Sequence, residues 1–595
     1  MSDMRKYAIR GAVSKEADEA LAEFSPLKRK LFFHRGIASA AEAQKFLSPD
    51  YEAHMHNPFE LKGMEKAVER ILKAVADDGK VVIWSDYDAD GIPGAVVLHD
   101  FFKKIGYANF QNYIPDRHFE GFGLNSIGIE GLAKEGAKLM ITIDCGIADV
   151  KEVARANELG IEVIITDHHL PSQAGLPDAF AILNPKQADC AYPEKMLCGS
   201  GVVFKLVQAL CLRLRSDLKI EGCKLKIPEA TFPIGWEKWL LDMVGIATLS
   251  DMVPLLGENR VLAHYGLKVL RKSPRVGLGQ LLRELRVNRQ ELSEDDIGFT
   301  ISPRINAASR MGLPMDAFKL FATTDEGEAG VLAKHLNKIN DERKGKVASL
   351  VKEVRKIVSG RDGNHARKVI VLGNPSWRPA LLGLVANALV EDYRKPVFVW
   401  GREGLPAQAG GEAVLKGSCR SDGSVDVNAL MHEARHALVE FGGHREAGGF
   451  SITLPQVALL EGELEVAYER VRKERAEEVF EYADTAISIE EVTWDLWRDI
   501  EPFAPFGVGN PKPVFLVENA PLSAVRRFGK EKQHLELVFE KPNHEKVSAI
   551  SFFVGEDESY ARLAVGGRVN FAATLERSTY RNFPELRLRI VNILL

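Results

Sequence analysis

At 595 residues the chain is too long for one hydrophobic core, so three or four domains are expected. Apolar residues at 46% and charged residues at 27% are ordinary for a globular protein. A formal net charge of −5 excludes a chain that grips polyanions through bulk charge, so any nucleic-acid surface must be local. The six cysteines (145, 190, 198, 211, 223 and 419) lack CxxC spacing. This argues against a zinc ribbon or disulfide scaffold and for reduced thiols in the cytoplasm. The opening Met1-Ser2-Asp3-Met4-Arg5-Lys6 leads into no apolar h-region. No apolar run reaches the roughly 18–20 residues of a membrane span, so neither secretion nor membrane attachment is expected.

In chain order, residues 1–75 read as a helical lead-in, with apolar residues at helical spacing among charges. From 76 to 315 apolar strands (80–85, 139–143, 161–166, 179–183) alternate with helical stretches such as 92–105 and 149–159. That pattern predicts parallel βαβ units. Residues 316–362, charged and almost free of breakers, predict a long connecting helix. A second α/β unit spans 363–456, opening on Lys368-Val369-Ile370-Val371-Leu372-Gly373, and a helical linker covers 457–482. The tail, 483–595, has short β-rich runs (513–517, 534–539, 547–553, 568–575, 586–593) broken by turn residues, which predicts a small barrel. The fold class is therefore α/β, with two α/β domains joined by a long helix and a C-terminal β-barrel.

The chemistry concentrates where apolar runs end. Ser85-Asp86-Tyr87-Asp88-Ala89-Asp90-Gly91 follows Val81–Trp84. Asp144 follows Leu139–Ile143, Asp167-His168-His169 follows Ile161–Thr166, and Asp251 follows Met243–Leu249. Functional groups of parallel sheets gather beyond the carboxyl ends of the strands. Asp88 and Asp90 lie two apart, so an extended segment would turn them the same way. Asp144 and Asp167 are one βα unit apart, which predicts adjacent strands. Close carboxylates oppose one another's ionisation, and a cation relieves this. Mixed carboxylate and imidazole ligands suit Mn²⁺ or Mg²⁺, and two such ions can clamp the attacking and leaving oxygens of a phosphoester displacement. An aspartate at a strand end is also a common helix N-cap, and a lone histidine pair is usually structural. Acids and two histidines at successive strand ends are hard to explain that way.

Phosphate handling has its own candidates. Gly442-Gly443-His444 and Ala447-Gly448-Gly449 bracket a site of close backbone approach, either an anion nest or a tight turn packed on a sheet. Arg117, Arg304 and Arg310 offer bidentate donors to phosphate, with Asn306 placed to orient them; the alternative is ion pairing with the acidic cluster. Phe119 and Phe122 could stack bases, although aromatics in βα regions are more often core. Arg526, Arg527, Lys530, Lys532 and His534 flank one loop of the tail, as a strand-binding groove or a solvated hairpin.

Together Asp86–Gly91, Asp144-Cys145-Gly146, Asp167-His168-His169 and Ser250-Asp251-Met252-Val253-Pro254 resemble the DHH phosphoesterase superfamily, and within it the single-strand exonucleases. The resemblance runs from about 30 to 595. It extends through Pro115-Asp116-Arg117, Glu120–Leu124 and Pro303–Arg310. Lys416–Ser421, Phe441–His444 and Ala447–Gly449 resemble the DHHA1 domain, and Ala504–Pro511 resembles the entry to an OB-fold. The resemblance implies a metal-dependent 5′→3′ exonuclease that degrades single-stranded DNA to 5′-mononucleotides in recombination, mismatch repair and base excision repair. It implies metal ligation by Asp88, Asp90, Asp144, His168 and Asp251, with Asp144 bridging two ions. Asp86 would be auxiliary and His169 would stand near the scissile phosphate. Ser418, Arg420, Gly443 and His444 would contact phosphate. A single-strand-binding protein and a recombination helicase are the implied partners of a monomer. Two departures stand out. Trp84 occupies a position where smaller superfamily members carry a ligand histidine, and Trp377-Arg378-Pro379-Ala380 departs from the usual Trp-His-x-Gly. The alternatives are a phosphoesterase for small substrates (an oligoribonuclease or cyclic-dinucleotide hydrolase) and an inactive DNA-binding scaffold.

Overall fold

The computed structural model describes residues 7–171, 175–216, 233–360, 367–402, 414–473, 481–554, 560, 563–578 and 583–594. Cys223, the opening six residues and residues 474–480 of the expected 457–482 linker lie outside them. By internal contacts the chain divides into two compact units, one of residues 56–251 and 266–478, the other of 1–55, 252–265 and 479–595.

The first of these units is built on an all-parallel sheet. Its strand order is Phe110–Tyr113, Val81–Ser85, Leu139–Ile143, Glu162–Thr166 and Ala181–Leu183. Val81–Ser85 and Leu139–Ile143 are buried at every position, as central parallel strands covered on both faces must be. The predicted strands hold, and Phe110–Tyr113 is an addition: its Phe-Gln-Asn-Tyr sequence is half-buried at an edge and shows no apolar run. Helices Gly91–Lys104 and Val150–Glu158 follow their strands. The long helix runs from Glu326 to Ser359, starting later than expected, because Pro314–Ala322 forms a separate helix and Asp325 caps the next one by accepting from the Glu328 amide.

The same unit contains a second, mixed sheet, ordered Glu440–Gly443, Ala447–Thr453, Val414–Arg420, Val397–Gly401 and Ile370–Gly373. Helix Pro379–Tyr393 lies on one face and Leu454–Lys473 follows the sheet.

In the other unit the tail strands form a seven-stranded sheet of open order, Thr485–Ala486, Val514–Pro521, Arg568–Ser578, Glu585–Leu594, Lys546–Ser551, His534–Glu540 and Ala524–Phe528. The expected barrel is thus not closed by strand pairing among the described residues, in keeping with the partly open barrels of OB-folds. Arg526 and Arg527 lie in the edge strand Ala524–Phe528, which pairs with His534–Glu540 and so flanks the expected loop. The lead-in is helical, with a short strand, Tyr7–Ile9, paired to Glu481–Ala483. Phe32, Phe46 and Phe503 share one core, so the N-terminal helices and the tail fold together.

Candidate metal centre

Three adjacent strands end in register on an aspartate. The Asp86 amide donates to Ile143 O (3.0 Å), Asp144 to Thr166 O (2.9 Å) and Asp167 to Leu183 O (3.1 Å), each extending the ladder by one rung. The carboxylates therefore emerge from neighbouring strand ends, while the strands behind them are held by apolar burial. Asp144 adopts φ 60°, a left-handed conformation in which aspartate is less unfavourable than most residues.

Asp88 and Asp90 do not lie in an extended segment. Asp88 Oδ1 accepts from the amides of Asp90 (2.8 Å) and Gly91 (3.1 Å), so the chain turns straight into helix Gly91–Lys104. Gly91 is required here, since a Cβ would meet Asp86 O at 2.5 Å. The turn sends the two carboxylates to different partners. Asp90 accepts from the amides of Gly199 (2.6 Å) and Ser200 (2.7 Å) at the start of helix Gly199–Ser216. Asp251 also differs from expectation, ending helix Leu241–Ser250 rather than a strand. The short apolar run Met243–Leu249, buried almost throughout, reads alike as strand or helix.

The side chains nonetheless converge. Ligand atoms of Asp86, Asp88 and Asp144 lie within 4.8 Å of one another, as do those of Asp144, His168 and His169, and those of Asp90, His168 and Asp251. Asp144 and His168 each belong to two of these sets. His168 Nε2 stands 3.2 Å from Asp144 Oδ1, 3.6 Å from Asp251 Oδ2 and 3.9 Å from Asp90 Oδ2. Asp86 Oδ1, Asp144 Oδ1 and Asp251 Oδ2 are buried without a hydrogen bond. Lone pairs aimed at one another across about an ion's width fit a divalent cation and fit little else.

The electrostatics agree. Burial raises the Asp144 and Asp86 carboxyls well above the usual range, and neighbouring aspartates add to it. Asp90 is pushed up to about 6 by burial and Asp88, and Asp251 to about 9 by burial, Asp90 and Asp88. Burial and His169 hold His168 down to about 3, leaving it neutral, the form that ligates.

His169 is set apart by Asp167, which the sequence reading did not assign a role. Asp167 Oδ1 accepts from His169 Nδ1 (2.8 Å) and from the amides of His168 and His169, and Oδ2 from the amide of Ile147. Burial opposes charge on Asp167, but these donors lower its pKa, while Asp167 raises that of His169 against burial. Lys186 is a second omission. It follows strand Ala181–Leu183 and is half-buried, and its charge offsets those of Asp251, Asp167 and Asp144. Both sit beyond strand ends, where the topological rule would have found them.

Trp84 is fully buried, stacks on Tyr113 (4.3 Å) and donates to Gly123 O, bracing the loop that carries Arg117 to Leu124. Phe119 and Phe122 are exposed, not core, and Phe122 meets the His169 ring at 5.9 Å.

Asn306 Oδ1 accepts from the Ala89 amide (2.9 Å) and fixes the Asp88–Asp90 turn. Arg117 lies near Asp86 and Arg304 near Asp341, and among the described residues no ion pair joins Arg117, Arg304 or Arg310 to the acids of the centre. Arg117 lies over the Tyr87 ring at 5.0 Å. Arg310 donates to Ala380 O (2.5 Å), keeps a buried Nε without a partner, and is held down to about 9 by burial and by Arg117, Arg343 and Arg420. Arg343, not singled out in the sequence, belongs to this group and also has a buried, unpartnered Nε. Arg304 donates to Thr300 O and Asn337. Gly383 leaves room for Arg420, whose Nη2 lies 2.8 Å from where a Cβ would stand, with Ser418 Oγ at 3.7 Å. Like charges packed together, with donors unused, mark a surface built for an anion. Gly443 has a packing reason, since a Cβ there would lie 2.4 Å from Gly448 Cα across the hairpin; His444 sits at its exposed tip.

A parallel sheet whose strand ends bring aspartates and a histidine pair into one metal-binding cluster, followed by a second α/β sheet, defines a phosphoesterase of the DHH class. Family models agree: the DHH family N-terminal domain matches residues 80–231, the DHHA1 domain 366–474 and the RecJ OB domain 483–592. The chain is 34% identical to the single-stranded-DNA-specific exonuclease RecJ of Bacillus subtilis over 95% of its own length and 67% of that protein's. It is 31% identical to that of Escherichia coli over 84% and 85%. The crystal structure of Thermus thermophilus RecJ in complex with Mn²⁺ superposes with a TM-score of 0.79 at 26% identity, covering all of this chain and 80% of that one. A second structure of the Thermus protein holds Mg²⁺. The chain belongs to the RecJ family of single-stranded-DNA-specific exonucleases.

Proposed function

We propose that this chain is a divalent-metal-dependent exonuclease that hydrolyses the phosphodiester bonds of single-stranded DNA, using Mn²⁺ or Mg²⁺. The observation that carries this is the convergence of Asp86, Asp88, Asp90, Asp144, His168, His169 and Asp251 on one centre from four separated segments. Asp86, Asp88 and Asp144 would hold one ion and Asp90, His168 and Asp251 a second, with Asp144 and His168 at the junction. Bound ions supply Lewis-acid stabilisation of charge building on the phosphate. His169, held by Asp167, presents its other ring nitrogen towards the phosphate and holds a proton there. Arg117, Arg310, Arg343 and Arg420, with Ser418, draw the backbone past the acids, and Phe122 offers a face to a base beside His169. In the tail, Phe528, His534, Phe552 and Phe553 cluster at centroid distances of 4.9–6.0 Å, with Arg589 4.0 Å from the Phe552 ring, an arrangement suited to stacking bases.

The finer reading is 5′→3′ degradation to 5′-mononucleotides by a cytoplasmic monomer in recombination, mismatch repair and base excision repair. It includes a single-strand-binding protein and a helicase as partners. Its domains are a lead-in to 75, a catalytic domain to 315, a connecting helix to 362, a DHHA1 domain to 456, a linker to 482 and an OB domain beyond. Among the described residues no helix is long and apolar enough to cross a membrane. A time course on single strands labelled at the 5′ or the 3′ end, with Mn²⁺ or Mg²⁺, tests it. Immediate release of labelled mononucleotide from the 5′ end supports the reading. Release from the 3′ end, or turnover of dinucleotides only, overturns it.

A further inference from the structure

Helix Ser302–Met311 follows a single turn of π-helix, Asp296–Ile301, and both lie in the same compact unit as the metal centre. The extra residue of a π-turn rotates everything after it by roughly 100° relative to an unbroken α-helix. The turn closes on Ile297 O, which accepts from the Ser302 amide and from Ser302 Oγ (2.8 Å). So placed, Ser302 is buried and its hydroxyl meets Ser250 Oγ at 2.5 Å, while Ser250 Oγ also meets Ile246 O in its own helix. Two hydroxyl protons serve these three contacts, so one serine donates to the other, which donates to a carbonyl.

One turn further along the same face, Asn306 Oδ1 accepts from the Ala89 amide (2.9 Å). Ser250 immediately precedes Asp251, and Ala89 immediately precedes Asp90. These two carboxylates share one ligand set with His168. A single helix face thus holds the chain one residue before each of them. Asp251 Oδ2 is buried without a hydrogen bond, so its place comes from the backbone at the end of helix Leu241–Ser250, where the Asp251 amide donates to Ala247 O (2.9 Å). A facing pair of hydroxyls adds little stability over two apolar groups of the same shape. What it adds is a fixed distance between two helices.

We propose that helix Ser302–Met311 is a strut that spaces Asp251 from Asp90, with Ser302 and Ser250 as positioning residues that set the affinity of the ion those carboxylates share. The proposal rests on Asp90 and Asp251 being metal ligands. The two serines act through the Asp251 backbone: their hydroxyls bond to carbonyls and to each other, not to a carboxylate.

The test is Mn²⁺ titration of the full chain, followed by the paramagnetic signal of free Mn²⁺, for wild type, Ser302→Ala, Ser250→Ala, the double alanine variant, Ser250→Thr and Asp251→Asn. Binding of a labelled oligothymidylate in EDTA and circular dichroism are read alongside. Removing one hydroxyl leaves the other its own carbonyl, so neither alanine variant strands a polar group. The expected result is Mn²⁺ affinity about tenfold weaker in each alanine variant, the low end of the range for lost supports of metal ligands. The double variant should be no weaker than either single one, because one loss already breaks the bridge. Ser250→Thr, which keeps a hydroxyl able to reach the same carbonyl, should bind as wild type does. Nuclease activity should return at raised Mn²⁺, with metal-free DNA binding unchanged. Wild-type affinity in a folded single alanine variant, losses that add in the double variant, or Ser250→Thr as weak as Ser250→Ala, each with Asp251→Asn weakened, overturns the strut alone. Wild-type affinity in Asp251→Asn overturns the ligand assignment beneath it. Should Ser302→Ala fail to fold, Ser250→Ala against Ser250→Thr decides.

Discussion

Single residues in the centre have opposed effects on stability and on chemistry. Asp144 is buried among Asp86, Asp88, Asp90 and Asp251, each of which disfavours its charge. Asp144→Asn keeps the shape and removes one member of that repulsion. The expected outcome is loss of nuclease activity on the order of 10³-fold or more, with a melting temperature in EDTA that is unchanged or higher. Addition of Mn²⁺ should raise the melting temperature of wild type much more than that of the variant. A variant that melts earlier in EDTA would contradict the like-charge account. Asp167 is a different case, because its carboxylate bonds the His169 ring and reaches His168 only through the backbone amide. Asp167→Asn should lower turnover by about 10–100-fold, as second-layer supports do. DNA binding and Mn²⁺ affinity should be nearly preserved, measured as kcat against Mn²⁺ and DNA titrations.

At the scale of elements, helix Gly91–Lys104 both starts the metal turn and packs the parallel sheet. Its His99 contacts the Phe110 and Phe318 rings at 5.2 and 5.3 Å and meets Asn112 Nδ2 at 2.9 Å. Burial, with Lys103 and Arg275, holds it down to about 4, against 6.5 when unfolded. A histidine with a depressed folded pKa binds fewer protons folded than unfolded between those values. Its contribution is therefore fully present above about pH 6.5 and is lost as pH falls towards 4. The difference in unfolding free energy between wild type and His99→Gln should narrow across that window and be flat above pH 7. Denaturant titrations at several pH values measure it, and a difference that grows on acidification would refute the assignment. The elements also show what pattern reading misses. Phe110–Tyr113, half-buried at an edge, has no apolar run to announce it. Leu241–Ser250, buried almost throughout, loses the periodicity that separates helix from strand.

Across the whole molecule, the N-terminal helices, the Met252–Tyr265 segment and the tail form one unit. Phe503 packs on Phe32 at 4.8 Å and on Phe46 at 5.5 Å. A chain ending at residue 480 would strip that core, and removing a buried phenylalanine alone costs about 3–5 kcal/mol. The expected outcome is loss of hydrogen-exchange protection at Leu31, Phe32 and Phe46, together with weakened binding to long single strands. Protection that survives the truncation would mean the lead-in folds without the tail.

The sequence alone determined the composition class, the βαβ alternation and the motifs, and with them the metal chemistry, because ligand types and strand-end positions are local properties of the chain. Tertiary structure decided the rest. Which carboxylates stand together depends on a turn after Asp88 that no alternation reveals. Asn306 serves the Ala89 amide, Arg343 joins the arginine cluster from the long helix, and Asp167 orients His169. Asn306 meets Ala89 from 217 positions away, and Asp167, only two positions from His169, is itself braced by the Ile147 amide 20 positions earlier. A one-dimensional pattern carries no information about such distances until apolar burial has fixed the sheets and helices that bring them together.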